Sequence, residues 1–323
     1  MSDITFPALV GDSPLAILAA IGTLRLIHDF IDEEACLSWD SDTHAPMLTS
    51  SCTSLEEIVN QLRQIVNDMP DGVIVPGGPV CFPPPGRAPD KLRVQQGELA
   101  GLVNRFALDS VTAPVVQTWV SSLVTDLAVD KDKRGAITQF AAPAGQQTMA
   151  TMLDKPLECV RKDPDCLRQA LVGWRRVSGV TGEYLDHRAS WASSEDGIGK
   201  STKPMMRGVP GATWLALMSY PLWTTTVNRG SVCTSGWHSV KVGRRTVYEL
   251  RLPLWRESLA PAAVKALVEH PTLDGPWDEI DLEDLRVLGV IDVCRARRRQ
   301  SRDGKSAGVL VPLRTGIRVG FSH

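Results

Sequence analysis

The C-terminal part of the chain carries two β-strand patterns separated by a residue pair that is typical of tight turns. Residues 290–300 and 307–319 are rich in alternating apolar and basic side chains, and Asp303-Gly304 lies between them. An Asp-Gly pair is a preferred two-residue connection between antiparallel strands. The pattern therefore predicts a β-hairpin in which Arg302 faces Lys305 and Ala296 faces Val311.

The two faces of this predicted hairpin differ in chemistry, because side chains alternate along a strand. The apolar face collects Cys294, Ala296, Val309, Val311, Leu313 and Ile317. The basic face collects Arg295, Arg297, Arg299, Arg314 and Arg318. We expect no carboxylate opposite these arginines, so an anion must lie across them, and the commonest long anion is nucleic acid. The alternative is a solvated strand face whose arginines pair with acids elsewhere in the fold.

The charge distribution agrees with a localised anion site. The whole chain of 323 residues has a formal charge of −2, which by itself indicates no partner. Residues 295–318 contain seven Arg and one Lys against one Asp, a net charge of +7, so the remaining residues carry −9. Such asymmetry is typical of a basic binding surface on an otherwise acidic protein.

The cysteines and the N-terminus bound the cellular setting. Seven cysteines without a C-x-x-C spacing argue against a disulfide framework and against a zinc site, so we expect reduced thiols in a cytoplasmic protein. The first residues lack the basic start of a secretory signal, and the apolar run at residues 15–27 is too short to span a bilayer. We expect neither a metal nor another cofactor.

Hydrophobic periodicity predicts an α+β fold with a helix-rich N-terminal half. Asp12-Ser13-Pro14 starts a buried helix to about residue 30, and Ser54-x-x-Glu57 is a capping box before a second helix. Further helices are predicted at 90–108, 113–127, 146–153, 164–174, 212–220, 261–269 and 282–288. The C-terminal half adds an antiparallel sheet that includes the basic hairpin. We place a boundary between a helix-rich region 1–190 and a mixed region 191–323; the alternative is a single domain.

A second basic stretch precedes the hairpin. Its members are Lys241, Arg244, Arg245, Arg251 and Arg256, interleaved with Tyr248 and Trp255. Basic side chains with aromatic neighbours suit a groove that follows a nucleic-acid backbone, although a solvated hairpin explains them equally well. Six of the nine tryptophans lie in residues 174–255, where they either stack on bases or fill the core.

Two other segments could support an enzyme. Residues 197–202 (GIGKST) imitate the end of a phosphate-binding loop around Lys200, but Ser194 replaces the first glycine and Pro204 interrupts the helix that should follow. Residues 183–188 (EYLDHR) place a carboxylate, a phenol and an imidazole together at a predicted strand end, where general acid–base chemistry is an option. No nucleophile motif accompanies them.

Several short segments resemble subunits of the type I-G (formerly I-U) CRISPR effector complex, in its large-subunit-like and Cas3-extension families. The segments are residues 11–26 (GDSPLAILAAIGTLRL), 144–147 (AGQQ), 184–186 (YLD), 214–218 (WLALM), 221–223 (PLW), 252–255 (LPLW) and 297–299 (RRR). They follow the order found in those families and are distributed along most of the chain. A tryptophan that often precedes Gly-Gln-Gln in large subunits has no clear counterpart here.

The resemblance implies a non-catalytic nucleic-acid-binding subunit of a crRNA-guided interference complex. Its partners would be crRNA or target DNA, other effector subunits, and a nuclease–helicase recruited in trans for antiviral cleavage. The predicted phosphate contacts are Arg295, Arg297, Arg299, Arg314 and Arg318, with Arg244, Arg245 and Lys200 second. The alternatives are a nucleotide-binding enzyme that uses the Lys200 loop and a pure protein-interaction subunit.

Overall fold

The computed structural model describes residues 1–86, 91–142, 147–191, 206–299 and 308–313. Its fold is α+β, with most helices in the N-terminal part and an antiparallel sheet in the C-terminal part, which confirms the predicted class. The helices are α1 (Pro14–Phe30), α2 (Leu55–Asn67), α3 (Gln96–Phe106), α4 (Thr112–Leu123), α5 (Met149–Lys162), α6 (Asp165–Val172), α7 (Arg188–Trp191), α8 (Pro210–Met218), α9 (Pro261–Val268) and α10 (Leu282–Val287).

The strands form small antiparallel sheets. They are β1 (Ser2–Thr5), β2 (Cys36–Trp39), β3 (Pro46–Ser50), β4 (Val124–Val129), β5 (Gly135–Ile137), β6 (Val177–Ser178), β7 (Arg207–Gly208), β8 (Thr225–Asn228), β9 (Ser231–Thr234), β10 (Trp237–Val242), β11 (Arg245–Trp255), β12 (Val290–Arg299) and β13 (Val309–Pro312). The two larger sheets have the orders β1-β3-β2 and β10-β11-β12-β13. The pairs β4-β5, β6-β7 and β8-β9 form separate two-stranded ribbons.

Helix α1 lies in the centre of the core. Proline at its first position fits the helix start, and every residue from Pro14 to Ile27 is buried. Its one buried cation, Arg25, donates to the Met218 carbonyl oxygen at 2.7 Å, at the C-terminal end of α8, and pairs with Asp29 at 3.0 Å. A cation at a helix C-terminus satisfies carbonyl groups that the helix leaves without partners.

Helices α1 and α8 approach each other closely enough to bring their backbones together. All nine residues of α8 are buried. A Cβ atom added at Gly22 of α1 would lie 1.7 Å from the Leu215 carbonyl oxygen, so only glycine fits there. Because α1 also contacts α2, α9, β2 and β13, this crossing joins N-terminal and C-terminal elements in one hydrophobic cluster. The proposed boundary between the two regions stays a prediction.

Some sequence-based boundaries were wrong for local reasons. The helix expected at 113–127 ends at Leu123, because Val124 and Thr125 pair with Ile137 and Ala136 in an antiparallel ribbon. Strands β1 to β3 were not predicted, since runs of four or five residues give little periodicity. The Ser54 hydroxyl accepts from the Glu57 N–H at 3.2 Å, but the Glu57 carboxylate bonds Thr53, so only half of the capping box forms.

The C-terminal strands pair one residue away from the predicted register. Ala296 lies opposite Pro312 and Arg297 lies opposite Val311, whereas a two-residue turn at Asp303-Gly304 would place Ala296 opposite Val311. A one-residue shift moves every side chain of a strand to the other face. Leu310 is therefore buried with Ala296, and half-buried Val309 and Val311 share the arginine face. The turn itself lies outside the described residues.

Among the helices described, none combines the length and the apolar composition that crossing a membrane requires.

We predict that the α1–α8 crossing makes Gly22 intolerant of any side chain. Gly22→Ala should lower the free energy of unfolding by about 1–3 kcal/mol or more, because two helix backbones must separate to admit a methyl group. Gly101→Ala in exposed α3 is the matched control, since nothing lies within 4 Å of its added Cβ. That control should stabilise the protein by roughly 0.5–1 kcal/mol. Urea unfolding measures both, and equal effects would contradict the packing described.

Candidate nucleic-acid interface

A single buried carboxylate organises the arginine face of the C-terminal sheet. Glu249 of β11 is fully buried and lies directly opposite Arg297 of β12. Its Oε1 accepts from the Arg295 Nε at 2.7 Å and from the Arg251 Nε at 3.1 Å, while its Oε2 accepts from the Arg297 Nε at 2.8 Å. We call Glu249, Arg251, Arg295 and Arg297 the Glu249 cluster.

The expectation that no carboxylate opposes the arginines is wrong for Arg295 and Arg297. Both are held by Glu249, and their side chains are 11% and 28% exposed. The sequence argument considered only the two hairpin strands, whereas the carboxylate comes from the neighbouring strand, 46 to 48 residues earlier. The alternative interpretation, in which arginines pair with acids elsewhere in the fold, applies to these two.

One carboxylate nevertheless cannot neutralise three guanidinium groups. Arg251 is buried, and its remaining N–H groups donate to the carbonyl oxygens of Leu273 and Gly275. The Trp277 ring covers Arg295, whose guanidinium carbon lies 4.5 Å from the ring centroid. These contacts satisfy hydrogen-bond donors and stabilise cations through the ring face, but they add no negative charge. The four residues of the Glu249 cluster therefore sum to +2, and the exposed carboxylate of Asp274, whose charge also acts on Arg251, offsets part of this excess.

The pKa values follow from this arrangement. Burial opposes ionisation of Glu249, but the hydrogen bonds from Arg295 and Arg297, aided by the charge of Arg295, outweigh it and lower the pKa to about 2. His238 of β10 lies opposite Glu249, and burial and the charge of Arg251 lower its pKa to about 4. His238 is thus neutral at pH 7, and it contacts exposed Asp274 at 3.0 Å at the margin of the cluster.

The basic surface continues beyond the cluster to the exposed end of the sheet. Arg244 and Arg245, at the turn between β10 and β11, and Arg299, at the end of β12, are exposed. Within the part of the chain that the structure describes, none of these three has an ion pair. An open groove of about 720 Å³ lies beside Arg245. Its lining residues are Val242, Arg245, Thr246, Val247, Tyr248, Arg297 and Arg298.

Arg298 points to the other side of the sheet and has a structural role. It donates to the carbonyl oxygens of Phe140 at 2.7 Å, Gly308 at 3.0 Å and Gln139 at 3.2 Å. Burial lowers its pKa to about 10, which leaves it charged at pH 7. It therefore joins β12 to Gly308, directly before β13, and to the segment that follows β5.

The other residues singled out in the sequence are distributed as follows. Arg314, Arg318 and Lys200 lie outside the described residues, so their assignment stays a prediction. Trp214, Trp223, Trp237 and Trp255 are buried and fill the core instead of offering surfaces for stacking.

The 183–188 segment forms a 3₁₀ turn (Gly182–Tyr184) and the start of α7 instead of a strand end. Asp186 is fully buried and paired with Arg176, and burial lowers the pKa of His187. In the described ranges, no group of three or more His, Cys, Asp or Glu side chains could hold a metal ion.

Sequence reasoning missed Glu249 and Trp277, which shape this surface. The available signal was the alternation in residues 245–251, which puts Arg245, Glu249 and Arg251 on one face of a strand. Pairing that strand with residues 290–299 would have placed the carboxylate among the arginines. Trp277 carries no comparable signal, because it lies in a short 3₁₀ turn (Trp277–Glu279).

We predict that Glu249 stabilises the sheet by offsetting the repulsion among its three arginines. Glu249→Gln should lower the free energy of unfolding by about 3–5 kcal/mol at pH 7, because three guanidinium groups lose their shared charge partner. The control Glu257→Gln alters an exposed carboxylate and should have little effect.

The pH dependence provides a second measurement of the same interaction. The folded pKa of Glu249, about 2, lies below its ordinary value of 4.5, so the stabilisation is complete above pH 4.5 and disappears as the pH falls towards 2. The difference in unfolding free energy between the wild-type protein and Glu249→Gln should therefore shrink between pH 5 and pH 2.5. A difference independent of pH would contradict an ionised Glu249.

Comparison with known proteins adds no assignment: no protein-family model matches the chain, and no curated protein matches it.

Proposed function

We propose that this chain is a non-catalytic nucleic-acid-binding subunit of a crRNA-guided CRISPR interference complex. The observation that carries the proposal is the continuous basic surface on one end of the C-terminal sheet. There, three arginines share one carboxylate, and Arg244, Arg245 and Arg299 follow without ion pairs among the described residues.

Uncompensated guanidinium groups on a rigid sheet are suited to phosphate. Arginine presents its N–H donors in a fixed fork that matches phosphate oxygens, and strands hold those forks at fixed spacing. The excess charge of the Glu249 cluster strengthens the local positive potential without making every member a contact. Tyr248, 42% exposed, also lines the groove, but alternation along β11 places it on the Arg298 side of the sheet and not on the face of Arg245 and Arg297.

The Glu249 cluster changes the ranking of the proposed contacts. Arg244, Arg245 and Arg299 become the primary phosphate contacts because they are exposed. Arg297 is a marginal contact, and Arg295 contributes charge from beneath Trp277. Arg314, Arg318 and Lys200 remain proposed contacts. Phosphate contacts of this kind fix register on the strand and do not read its sequence.

The place in a CRISPR complex is supported by the order of the resembling segments. In such complexes the guide RNA reads the target sequence, while protein subunits hold the nucleic-acid backbones. Partners would be crRNA or target DNA, neighbouring effector subunits and a nuclease–helicase that acts in trans. The setting would be the bacterial or archaeal cytoplasm, where such complexes defend against foreign DNA.

We predict that binding is salt-dependent through the three exposed arginines. The triple variant Arg244→Ala, Arg245→Ala, Arg299→Ala should reduce the slope of log K against log salt by roughly 2–3, at about 0.9 per phosphate on duplex DNA and 0.7 on single strands. Fluorescence anisotropy with labelled DNA and RNA over a salt series measures the slope. Arg297 is left unchanged, because its removal would also disturb Glu249.

The matched control removes the same charge from exposed sites elsewhere. Arg105→Ala, Lys131→Ala and Lys162→Ala together should leave the slope unchanged, since these residues lie on α3, on the β4–β5 turn and at the end of α5. Equal slopes for both triple variants would reject the sheet end as the binding surface. Assembly with a protein partner that is salt-sensitive without nucleic acid would instead favour a protein-interaction subunit.

We further predict that the protein purified from its host under native conditions retains other effector subunits and a short RNA of uniform length. Mass spectrometry and RNA sequencing identify them. Recovery of the chain alone, free of RNA at low salt, would contradict the proposed place in a complex.

A further inference from the structure

A cleft that is lined by none of the residues of the arginine surface contains a buried carboxyl group. The cleft lies between α5, the turn at Gly182–Tyr184 and α8, and has a volume of about 550 Å³. Its lining includes Gln147, Thr151, Lys155, Glu183, Tyr184 and Thr213. This volume is within the range of small-molecule sites, and the lining side chains are mostly polar, with Pro156, Cys159 and Val180 as apolar members.

Glu183 is the most deeply buried charged group of the cleft. It is 7% exposed, and its Oε2 accepts from the Gln147 Nε2 at 2.6 Å. Its Oε1 has a weaker contact, with the Thr181 hydroxyl at 3.5 Å. Within the described ranges, no arginine or lysine forms an ion pair with Glu183. Each carboxylate oxygen accepts two hydrogen bonds, so the group has unused acceptor capacity facing the cleft.

The backbone holds this carboxyl in an uncommon conformation. Gly182, Glu183 and Tyr184 have consecutive positive φ angles of 64°, 47° and 61°. For residues with a side chain this region costs on the order of 1–3 kcal/mol, and such costs concentrate at ligand-binding and active sites. This left-handed turn directs the Glu183 side chain towards Gln147 and the cleft. A regular helical turn would contain no residues with positive φ angles.

The carboxyl group of Glu183 changes between its neutral and charged forms near pH 7. Burial raises its pKa to about 7, although the hydrogen bonds from Gln147 and Thr181 and the charge of Lys155 act in the opposite direction. The titratable groups around it are Lys155, Glu158 and Cys159 from α5, Tyr184 from the turn and Tyr220 from the turn after α8. None of these supplies the direct cation that a buried carboxylate requires.

We propose that this cleft binds a small ligand that presents a pair of N–H donors to Glu183, the edge found in amidines and in guanine. Two parallel N–H groups match the two oxygens of a carboxylate and form the bidentate arrangement that is strongest in low-dielectric sites. Two sources carry this chemistry: a cationic amidine, and a guanine nucleotide whose phosphate would meet Lys155 at the exposed rim. The inference uses none of the residues of the arginine surface and does not depend on the proposed function.

The experiment measures binding of two probes to the full-length protein by isothermal titration calorimetry. Benzamidine tests the cationic source and guanosine monophosphate tests the nucleotide source. The matched probes are benzamide, which lacks one donor group and the positive charge, and inosine monophosphate, which lacks one donor group. Glu183→Gln keeps the shape and the Gln147 contact, and should weaken binding about tenfold or more. Glu158→Gln, an exposed carboxylate of the same cleft, should change affinity less than about twofold.

The pH dependence and a rim variant distinguish the sources. Benzamidine should bind about tenfold more weakly at pH 6 than at pH 8, because a carboxyl with a pKa of about 7 is mostly protonated at the lower pH. Lys155→Gln should weaken guanosine monophosphate and leave benzamidine binding unchanged or stronger. Saturable binding of either probe that Glu183→Gln removes supports the inference. Failure of both probes, or equal binding to the Gln variant with an unchanged melting temperature, overturns it.

Discussion

The crossing of α1 and α8 at Gly22 is the contact on which the arrangement of the protein depends. Fully buried α8 and the buried part of α1, Pro14 to Ile27, meet with a backbone carbonyl at the position where any side chain would begin. Arg25 adds a buried hydrogen bond to the end of α8, so a cation inside the core serves helix capping. Because α1 also touches β2, α9 and β13, this crossing holds the N-terminal helices against the C-terminal sheet.

A second contact, the carboxylate that three arginines share, organises the arginine face of that sheet. Glu249 is buried, yet it stays ionised because three guanidinium groups surround it. Removing Glu249 would leave three like charges close together, whereas removing one arginine would leave two arginines that still share the carboxylate. A fixed carboxylate therefore positions Arg295 and Arg297 and leaves positive charge over. This is why a face that contains an acid still supports a proposal of phosphate binding, and why the exposed Arg299 now ranks above its neighbours.

The buried carboxyl groups of the molecule contrast instructively. Asp186 is paired with Arg176 and Glu249 with three arginines, so each of these carboxylates has a guanidinium group in direct contact. Glu183 has an amide and a hydroxyl as partners, and its pKa rises to about 7 instead of falling. The difference lies in the neighbours, since all three groups are buried. A buried acid without a cation is the group for which a ligand would make the largest difference.

Much of the fold could be predicted from local pattern. The central helix, the amphipathic helix after Ser54 and strand β12 follow from apolar spacing, a cap and alternation, which depend on neighbouring residues only. The same patterns could not give the short N-terminal strands, the end of α4 at Leu123 or the register of β13, because pairing partners decided these. A turn prediction that is wrong by one residue exchanges the faces of a whole strand.

For the candidate site, the order of amino acids alone shows which residues are basic and that they alternate along β12. Which of them are available depends on the fold, because pairing with β11 brings Glu249 against Arg295 and Arg297 across 46 to 48 residues of chain. The fold also turns Arg298 inward to backbone carbonyls and places Glu183 in a cleft where, among the described residues, no cation forms an ion pair with it. Charge is a property of composition, whereas its neutralisation depends on distances that long-range strand pairing sets.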